Sequence, residues 1–568
     1  MPSLFLKKYE RASEMVAQWI AAEHRQARSA KILSYPQAWE MDLEVGSGHV
    51  AILLCLPEDF PLQDPVILVK NPEDFWGKVP HVERSGKLCL SSTNAVHGIE
   101  QAVPLVQGAL CDARDLLENP SFRDFAEEFN SYWASDPRPP DAVLLCKDGL
   151  PEEPWCRKNN REIVLGDEKE VVDRWCANTG RPFDEAKRIC RIDIGHEMLP
   201  IDFPSNLKTL HALLDDKDHA LAAKLKNHVK TRSSYLVLPL RILVSGEKVD
   251  AAIGVQGTGD SPPRNGFRSQ SEVPWGLIER DSPLIQRILL RSVTTQTVVK
   301  RSGDGFDLSN KRVVLVGCGS LGGYLAQMLA RASVGRLTLI DAEALGWENA
   351  GRHVLGGAYI GRNKAEALKT AFGIENPQVE VKALAKKAEV VMRDHPQVLK
   401  EADILISATG DWPLEYKLNY WRTYTHGAPP LLFTWLESFA VAGHSFYISP
   451  TKGACLNCYF STSGHFAKAV VDPREVEPQK EPSCAGIYQP YGPIDMVPTA
   501  AMAAAHAVDV LLGRESSSDL RTWLGARTRF ELHSVAPMNG WSERLSAMPF
   551  GSVHEQAMPP AETCPLCS

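Results

Sequence analysis

The chain contains no apolar run of about 18 residues, the length that a membrane-spanning helix needs, so no span is expected. Its most apolar helical stretch, Val497 to Gly513, is interrupted by His506 and Asp509. The opening MPSLFLKKYERASE meets Lys7 and Lys8 too soon for the apolar core of a secretion signal and offers no cleavage site, which predicts a cytoplasmic protein. An excess of positive charge is also missing. There are 62 basic and 70 acidic residues, net −8, which removes a blanket attraction to nucleic acid or anionic membrane. No repeat of fixed period is present. In a reducing compartment the 13 cysteines are better suited to metal ligation or nucleophilic chemistry than to a disulfide framework. With 44% hydrophobic and 23% charged residues the composition excludes disorder and coiled coil, and 568 residues suffice for two to four domains.

Two Pro- and Gly-rich stretches divide the chain: Asp136 to Pro140 (DPRPP) and Gly257 to Pro274. Before the first, a helical pattern near residues 4–25 precedes runs with a period of two. Trp39, Met41, Leu43 and Val45 alternate with polar residues, as do Val50, Ile52, Leu54 and Leu56, and Val66 to Val69 is a third short run. This predicts an antiparallel meander with one buried face, followed by a helix near 98–118. Cys55 and Cys111 fall in apolar patterns and are expected in the core. Between the two divisions, residues 205–228 read as helix, and Tyr235 to Val244 and Val249 to Val255 as strands.

Past the second division, Arg312 to Val316 is an apolar strand that runs into Gly317-Cys318-Gly319-Ser320-Leu321-Gly322. Leu321, Leu325, Met328, Leu329 and Ala332 continue at helical spacing, and Leu337 to Ile340 is a second strand ending in Asp341. This is a βαβ unit built to bind a nucleotide. Gly317 permits the tight turn, Gly319 lets backbone approach phosphate, and Gly322 lets helix pack close to strand. The helix N-terminus offers unpaired N–H groups to an anion. Asp341, 22 residues beyond Gly319, is placed to hold ribose hydroxyls. Taken alone, the pattern also suits a nicotinamide oxidoreductase. Asn349, Arg352 and Lys364 follow soon after, and cations there suit a triphosphate.

The run from Val313 to Gly357 resembles the ThiF-type adenylation domain of ubiquitin-activating enzymes, whose superfamily includes the sulfur-carrier adenylyltransferases. The family order of Gly-rich turn, L-x-L-x-D, N-x-x-R and G-x-x-K is met by Gly317 to Gly322, Leu337 to Asp341, Asn349 to Arg352 and Gly361 to Lys364, with Ser320 replacing a glycine. The resemblance implies that these groups bind ATP and activate a protein C-terminal carboxylate as an adenylate. It places Glu343 as a second acid. It also makes Asp411, after the strand Asp403 to Ser407, the Mg2+-binding aspartate, one position away from its usual place.

Cys455-x-x-Cys458 and Cys564-x-x-Cys567 form two pairs whose thiolates suit a closed, structural Zn2+ that would tie a loop to the C-terminal tail. Between them lies Cys484, on a polar, irregular stretch that precedes a helical one. The activating family carries its thioester-forming cysteine on such a loop, which makes Cys484 the first nucleophile.

The N-terminal segment in turn resembles a ubiquitin-conjugating enzyme. Phe60-Pro61, Pro65, His81 and Gly86-Lys87-Leu88-Cys89-Leu90 follow that family's order, with Cys89 as the conjugating nucleophile. The family's His-Pro-Asn is absent, and Pro80-His81-Val82 stands there instead.

The expected fold class is α/β. It comprises an α+β ubiquitin-conjugating-like domain over 1–135, an α+β linker domain over 136–275, and a Rossmann-like ThiF-type adenylation domain over 276–568. A chain with both activities resembles the bacterial fused activating–conjugating proteins of CBASS, the cyclic-oligonucleotide antiphage defence operons. The resemblance implies adenylation of a protein C-terminus, that of a cyclic-oligonucleotide synthase, transfer to Cys484 and then Cys89, and amide formation on a target lysine. It also implies a homodimer; the charge balance and the lack of an apolar span predict no nucleic-acid or membrane partner. The alternatives are a sulfur-carrier adenylyltransferase, a nicotinamide oxidoreductase and a catalytically silent scaffold.

Overall fold

The computed structural model describes residues 2–90, 97–134, 141–146, 149–231, 234–257, 273–281, 285–293, 297, 306–450, 454–460, 464–472, 476, 479–480, 487–488, 490–547 and 549–567. The chain packs as two compact units, Met1–Lys169 with Asp184–Arg291, and Glu170–Phe183 with Ser292–Ser568. Most of both dividing stretches, 135–140 and 258–272, lies outside the described residues.

In the first unit the helix Pro2–Glu23 precedes four antiparallel strands in chain order: Arg28–Ile32, Tyr35–Val45, Gly48–Leu56 and Val66–Val69. Met41 pairs with Ile52 and Leu43 with Val50, so the alternating residues face one side. There they bury against Ala12, Val16 and Ile20 of the first helix and Val106, Leu110 and Ala113 of the helix Ala102–Glu118. The strand Arg28–Ile32 escapes a sequence reading because it is half-buried or exposed throughout, with no apolar face. Cys55 is buried, but Cys111 is exposed, one step past Leu110 on an amphipathic helix.

The short helices Asp124–Glu127 and Phe129–Trp133 carry Phe125, Phe129, Tyr132 and Trp133 into the core of a second, eight-stranded sheet. That shared core bridges the expected seam at residue 135. The same sheet takes in the strand Gln286–Ser292, which pairs with Glu247–Gln256. The middle region therefore extends past 275 and packs in one unit with the N-terminal segment. The helix expected over 205–228 is two, Leu207–Lys217 and His219–Thr231, broken where Asp218 turns extended.

The second unit is built on an eight-stranded sheet. Its order is Glu380–Leu384, Arg336–Ile340, Arg312–Val316, Ile404–Ser407, Leu431–Leu436, Ala442–Ile448, Asp519–Leu524 and Ser552–Ala557. The first five strands are parallel and the rest antiparallel. The chain leaves Arg312–Val316 toward one edge and returns to Ile404–Ser407 on its other side. This reversal opens a crevice at the C-terminal ends of those two strands, where open α/β sheets bind ligands. Among the described residues one helix, Pro493–Leu511, is long and apolar enough to cross a membrane, and half of it is buried. It packs against the helix Ser320–Arg331 and the strand Ala442–Ile448. Its apolar character is that of a core helix.

Candidate functional site

The crevice holds a cleft of about 550 Å³ lined by Gly317, Gly319, Asp341, Glu343, Asn349, Arg352, Lys364 and Asp411, among others. Eight of the nine residues read from sequence as a nucleotide site thus meet in one place. Gly322, the ninth, lies beneath it, where a Cβ would meet the Gly317 carbonyl oxygen at 2.0 Å. Gly317 has φ +88°, the left-handed region that favours glycine. Gly319 caps the helix Ser320–Arg331, and a Cβ there would meet nothing within 4 Å, which leaves the helix N-terminus open to a ligand.

The Asp341 carboxylate is fixed by its neighbours. Oδ2 accepts from the Cys318 N–H (2.7 Å) and Oδ1 from the Glu343 N–H (2.8 Å). Asn349 turns its Oδ1 to the Gly346 N–H at 3.1 Å and so caps the short helix Trp347–Ala350. The Lys364 ammonium is buried and pairs with Glu343 at 2.7 Å. Arg352 lies over the Tyr491 ring, 5.3 Å from its centroid, and the Tyr491 hydroxyl meets Ser320 Oγ at 2.7 Å. Asp411 caps the helix Trp412–Tyr424, with Oδ1 accepting from the Leu414 N–H at 3.2 Å.

Several lining groups escaped the sequence reading. Lys386 and Lys387 follow the strand Glu380–Leu384, and only the parallel pairing of Leu384 with Ile340 brings them beside Asp341. His353 accepts from the Leu355 N–H at Nδ1 (3.0 Å) and faces the Cys318 carbonyl through Nε2 (2.8 Å). Burial lowers its pKa, which favours the neutral ring with its proton on Nε2. Glu415 is fully buried beneath the loop 408–411, and its Oε1 accepts from Ser407 Oγ, Thr409 Oγ1 and the Gly410 N–H at 3.0–3.3 Å. Burial pushes its pKa up to about 8. A second cavity of about 570 Å³ shares Gly319, Ser320, Ala408 and Thr409 with the first and is walled by Trp412, Trp435, Phe466 and Tyr491.

The four cysteines of the two pairs converge. Sγ–Sγ distances are 3.6 Å for Cys455–Cys564, 3.1 Å for Cys458–Cys567 and 3.4 Å for Cys455–Cys567. Asn457 Nδ2 and the Ala561 N–H each point at a sulfur, Cys564 and Cys458, from 3.4 Å. Four thiols whose sulfurs all lie within 4.8 Å of one another, with N–H donors directed at two of them, fit a tetrahedral thiolate site. Cys484 lies outside the described residues.

Cys89 is exposed at the end of a tight hairpin, where Val82 bridges Leu88 and the Cys89 N–H donates to the His81 carbonyl at 2.8 Å. Gly86 closes the turn with φ +86°, and a Cβ there would meet the Val69 carbonyl oxygen at 2.5 Å. His81 itself sits at φ +60°. Its N–H donates to the Tyr132 hydroxyl (2.8 Å), and its ring faces Asp124 (2.7 Å) and Glu128 (3.4 Å). The thiol directs its proton to Glu83 Oε1 at 3.7 Å. Burial first, and the Glu83 carboxylate second, raise its pKa above the ordinary thiol value.

Residues 295–540 match the ThiF family, and residues 9–138 match the Prokaryotic E2 family B. The ATP-dependent ubiquitin transferase-like protein Cap2 of Pseudomonas aeruginosa is 24% identical over 480 residues, 78% of this chain and 82% of the relative. Cap2 of Vibrio cholerae is 28% identical over 218 residues, 36% of each chain, so this second match spans about a third of the relative. The E. coli molybdopterin-synthase adenylyltransferase is 33% identical over 125 residues, 20% of this chain and 48% of that one. Among solved structures, E. coli MccB with ATP aligns with a TM-score of 0.33 at 18% identity, covering 46% of this chain and 67% of its own.

Proposed function

We propose that this chain, which joins a Prokaryotic E2 family B domain to a ThiF-family domain, is an ATP-dependent ubiquitin-transferase-like ligase that works through two thiols. One observation carries the reading. The same chain has a βαβ nucleotide cleft with Arg352 and Lys364 beside Asp341, and an exposed thiol, Cys89, on a conjugating-type hairpin. A sulfur-carrier adenylyltransferase leaves residues 9–138 without a role.

On this reading Asp341 orients the ribose, the open helix N-terminus at Gly319 receives phosphate oxygens, and Arg352 and Lys364 neutralise charge on the triphosphate. Asp411 is the carboxylate for Mg2+, which supplies further neutralisation when bound. A protein C-terminal carboxylate attacks the α-phosphorus and pyrophosphate leaves; the Cys484 thiolate then attacks the acyl carbon and AMP leaves, the Cys89 thiolate displaces Cys484 from that thioester, and a target lysine amine displaces Cys89 with loss of a proton. Cys455, Cys458, Cys564 and Cys567 hold a structural Zn2+, which ties the C-terminal tail to the sheet. The finer elements of the same reading are a homodimer and a cyclic-oligonucleotide synthase as the protein substrate.

Calorimetric titration tests the nucleotide step. ATP with Mg2+ binds and NAD does not, and Asp341→Ala and Arg352→Ala each weaken ATP by about tenfold or more, a loss of about 1.4 kcal/mol. Tight NAD binding, or ATP binding unchanged in both variants, would contradict it.

A further inference from the structure

The hairpin that carries Cys89 holds a carboxylate where the conjugating motif has an amide. With His81 taken as the motif's histidine, rather than Pro80-His81-Val82 as the whole triplet, Glu83 falls at the third position, that of the asparagine, six residues before Cys89. An asparagine amide donates to an oxyanion. A carboxylate cannot donate, and its charge disfavours one. The Glu83 side chain is nevertheless held at the reacting atom. Its Oε1 lies 3.7 Å from Cys89 Sγ, its Oε2 accepts from Ser85 Oγ at 3.2 Å, and its own N–H donates to the Lys87 carbonyl at 2.9 Å. The bridge between Val82 and Leu88 locks that placement, and both Glu83 and Cys89 are exposed to an incoming amine.

We infer that Glu83 is the proton acceptor for amide formation at Cys89 and returns the proton to the departing sulfur. This rests on the conjugating role proposed for Cys89. In the step, a neutral lysine amine forms a bond to the carbonyl carbon of the Cys89 thioester, and one amine proton passes to a Glu83 oxygen. The tetrahedral centre collapses, the carbon–sulfur bond breaks with its electron pair going to sulfur, and Glu83 hands the proton to Sγ. The products are an amide, a free thiol and the regenerated carboxylate. The Cys89 S–H directed at Glu83 Oε1 is the end state of this cycle. A proton acceptor in reach of the nucleophile contributes about 10²–10⁴-fold, and a carboxylate also draws a lysine ammonium toward the thioester.

The step separates nucleophiles by their need to lose a proton. The test loads Cys89 of the Cys484→Ala chain from a synthetic peptide thioester of 2-mercaptoethanesulfonate and verifies the site by peptide mapping. The loaded protein is then discharged by Nα-acetyl-lysine amide or by 2-mercaptoethanesulfonate, an amine and a thiolate. In Glu83→Gln the amine discharge falls by about a hundredfold, while thiolate discharge is unchanged or faster, because the thiolate has no proton to lose and meets less negative charge. Glu83→Asp recovers part of the amine rate. Equal amine rates in the parent and Glu83→Gln would overturn the role of Glu83 alone. A parallel fall in both discharges would also overturn it, since that marks a general distortion of the hairpin. A parent thioester on Cys89 that never passes to the amine would remove the conjugating reading itself, and the assignment of Glu83 with it.

Discussion

At Glu415 the chain buries a carboxylic acid that no sequence pattern marks. Three donors converge on one oxygen, which by itself favours the carboxylate, but the other oxygen is buried with no partner among the described residues, and burial outweighs the donors. Burial raises its folded-state pKa to about 8, against about 4.3 for an unperturbed glutamate. Between those values the folded chain keeps a proton that the unfolded chain has lost. Stability from this group therefore falls as pH rises through the window, by about 1.4 kcal/mol per unit. The melting temperature of the parent should drop more steeply between pH 5 and 8 than that of Glu415→Gln, measured by calorimetry at constant ionic strength. Parallel profiles would mean that Glu415 titrates near its ordinary value. Replacing one of the four clustered cysteines tests the proposed zinc site at the same scale. Cys564→Ser should lower bound zinc well below one per chain by elemental analysis and loosen the tail, since metal affinity is coupled to folding. A parent protein purified without chelator and free of zinc would refute the site.

The Gly-rich turn shows what a single element can tell in advance. Gly317 to Gly322, the strands on either side and Asp341 are contiguous in the chain, so the local pattern reveals both the fold and the cleft it opens. Asn349, Arg352 and Lys364 follow within the next crossover and were readable for the same reason. Lys386 and Lys387 follow a strand distant in sequence, and only sheet pairing brings them to the cleft, while Tyr491, distant too, reaches Ser320 and Arg352 from the wall of the second cavity. Around Cys89 the hairpin residues were readable, whereas Asp124, Glu128 and Tyr132 arrive on two short helices and the turn between them, more than 30 residues further on. The seam expected at residue 135 was not readable as a shared core, because Phe125, Phe129 and Trp133 give no sign of which sheet they join. At this scale Gly322→Ala is the sharpest perturbation. A methyl 2.0 Å from the Gly317 carbonyl oxygen forces the helix away from the strand. The cost should be about 1–3 kcal/mol in denaturant unfolding, with ATP affinity falling in parallel. An unchanged midpoint would show that the turn can yield.

For the whole molecule, the proposed order of transfer follows from which segment bears each thiol. Cys484 belongs to the sequence that matches the ThiF family, so on this proposal it would meet the mixed anhydride, while Cys89 sits on the N-terminal hairpin and would receive the acyl group by exchange between thioesters of similar energy. The transfer needs proximity, with no second activation. The most direct measurement is a thioester trap. Tagged chain is expressed in its native host, quenched in acid, and resolved without reductant, with each adduct mapped by mass spectrometry. Parent and Cys89→Ala should carry a thiol-labile protein adduct on Cys484, and Cys484→Ala should carry none at either cysteine. An adduct on Cys89 in Cys484→Ala would contradict the order, and the absence of any thiol-labile adduct in the parent would contradict the two-thiol ligase.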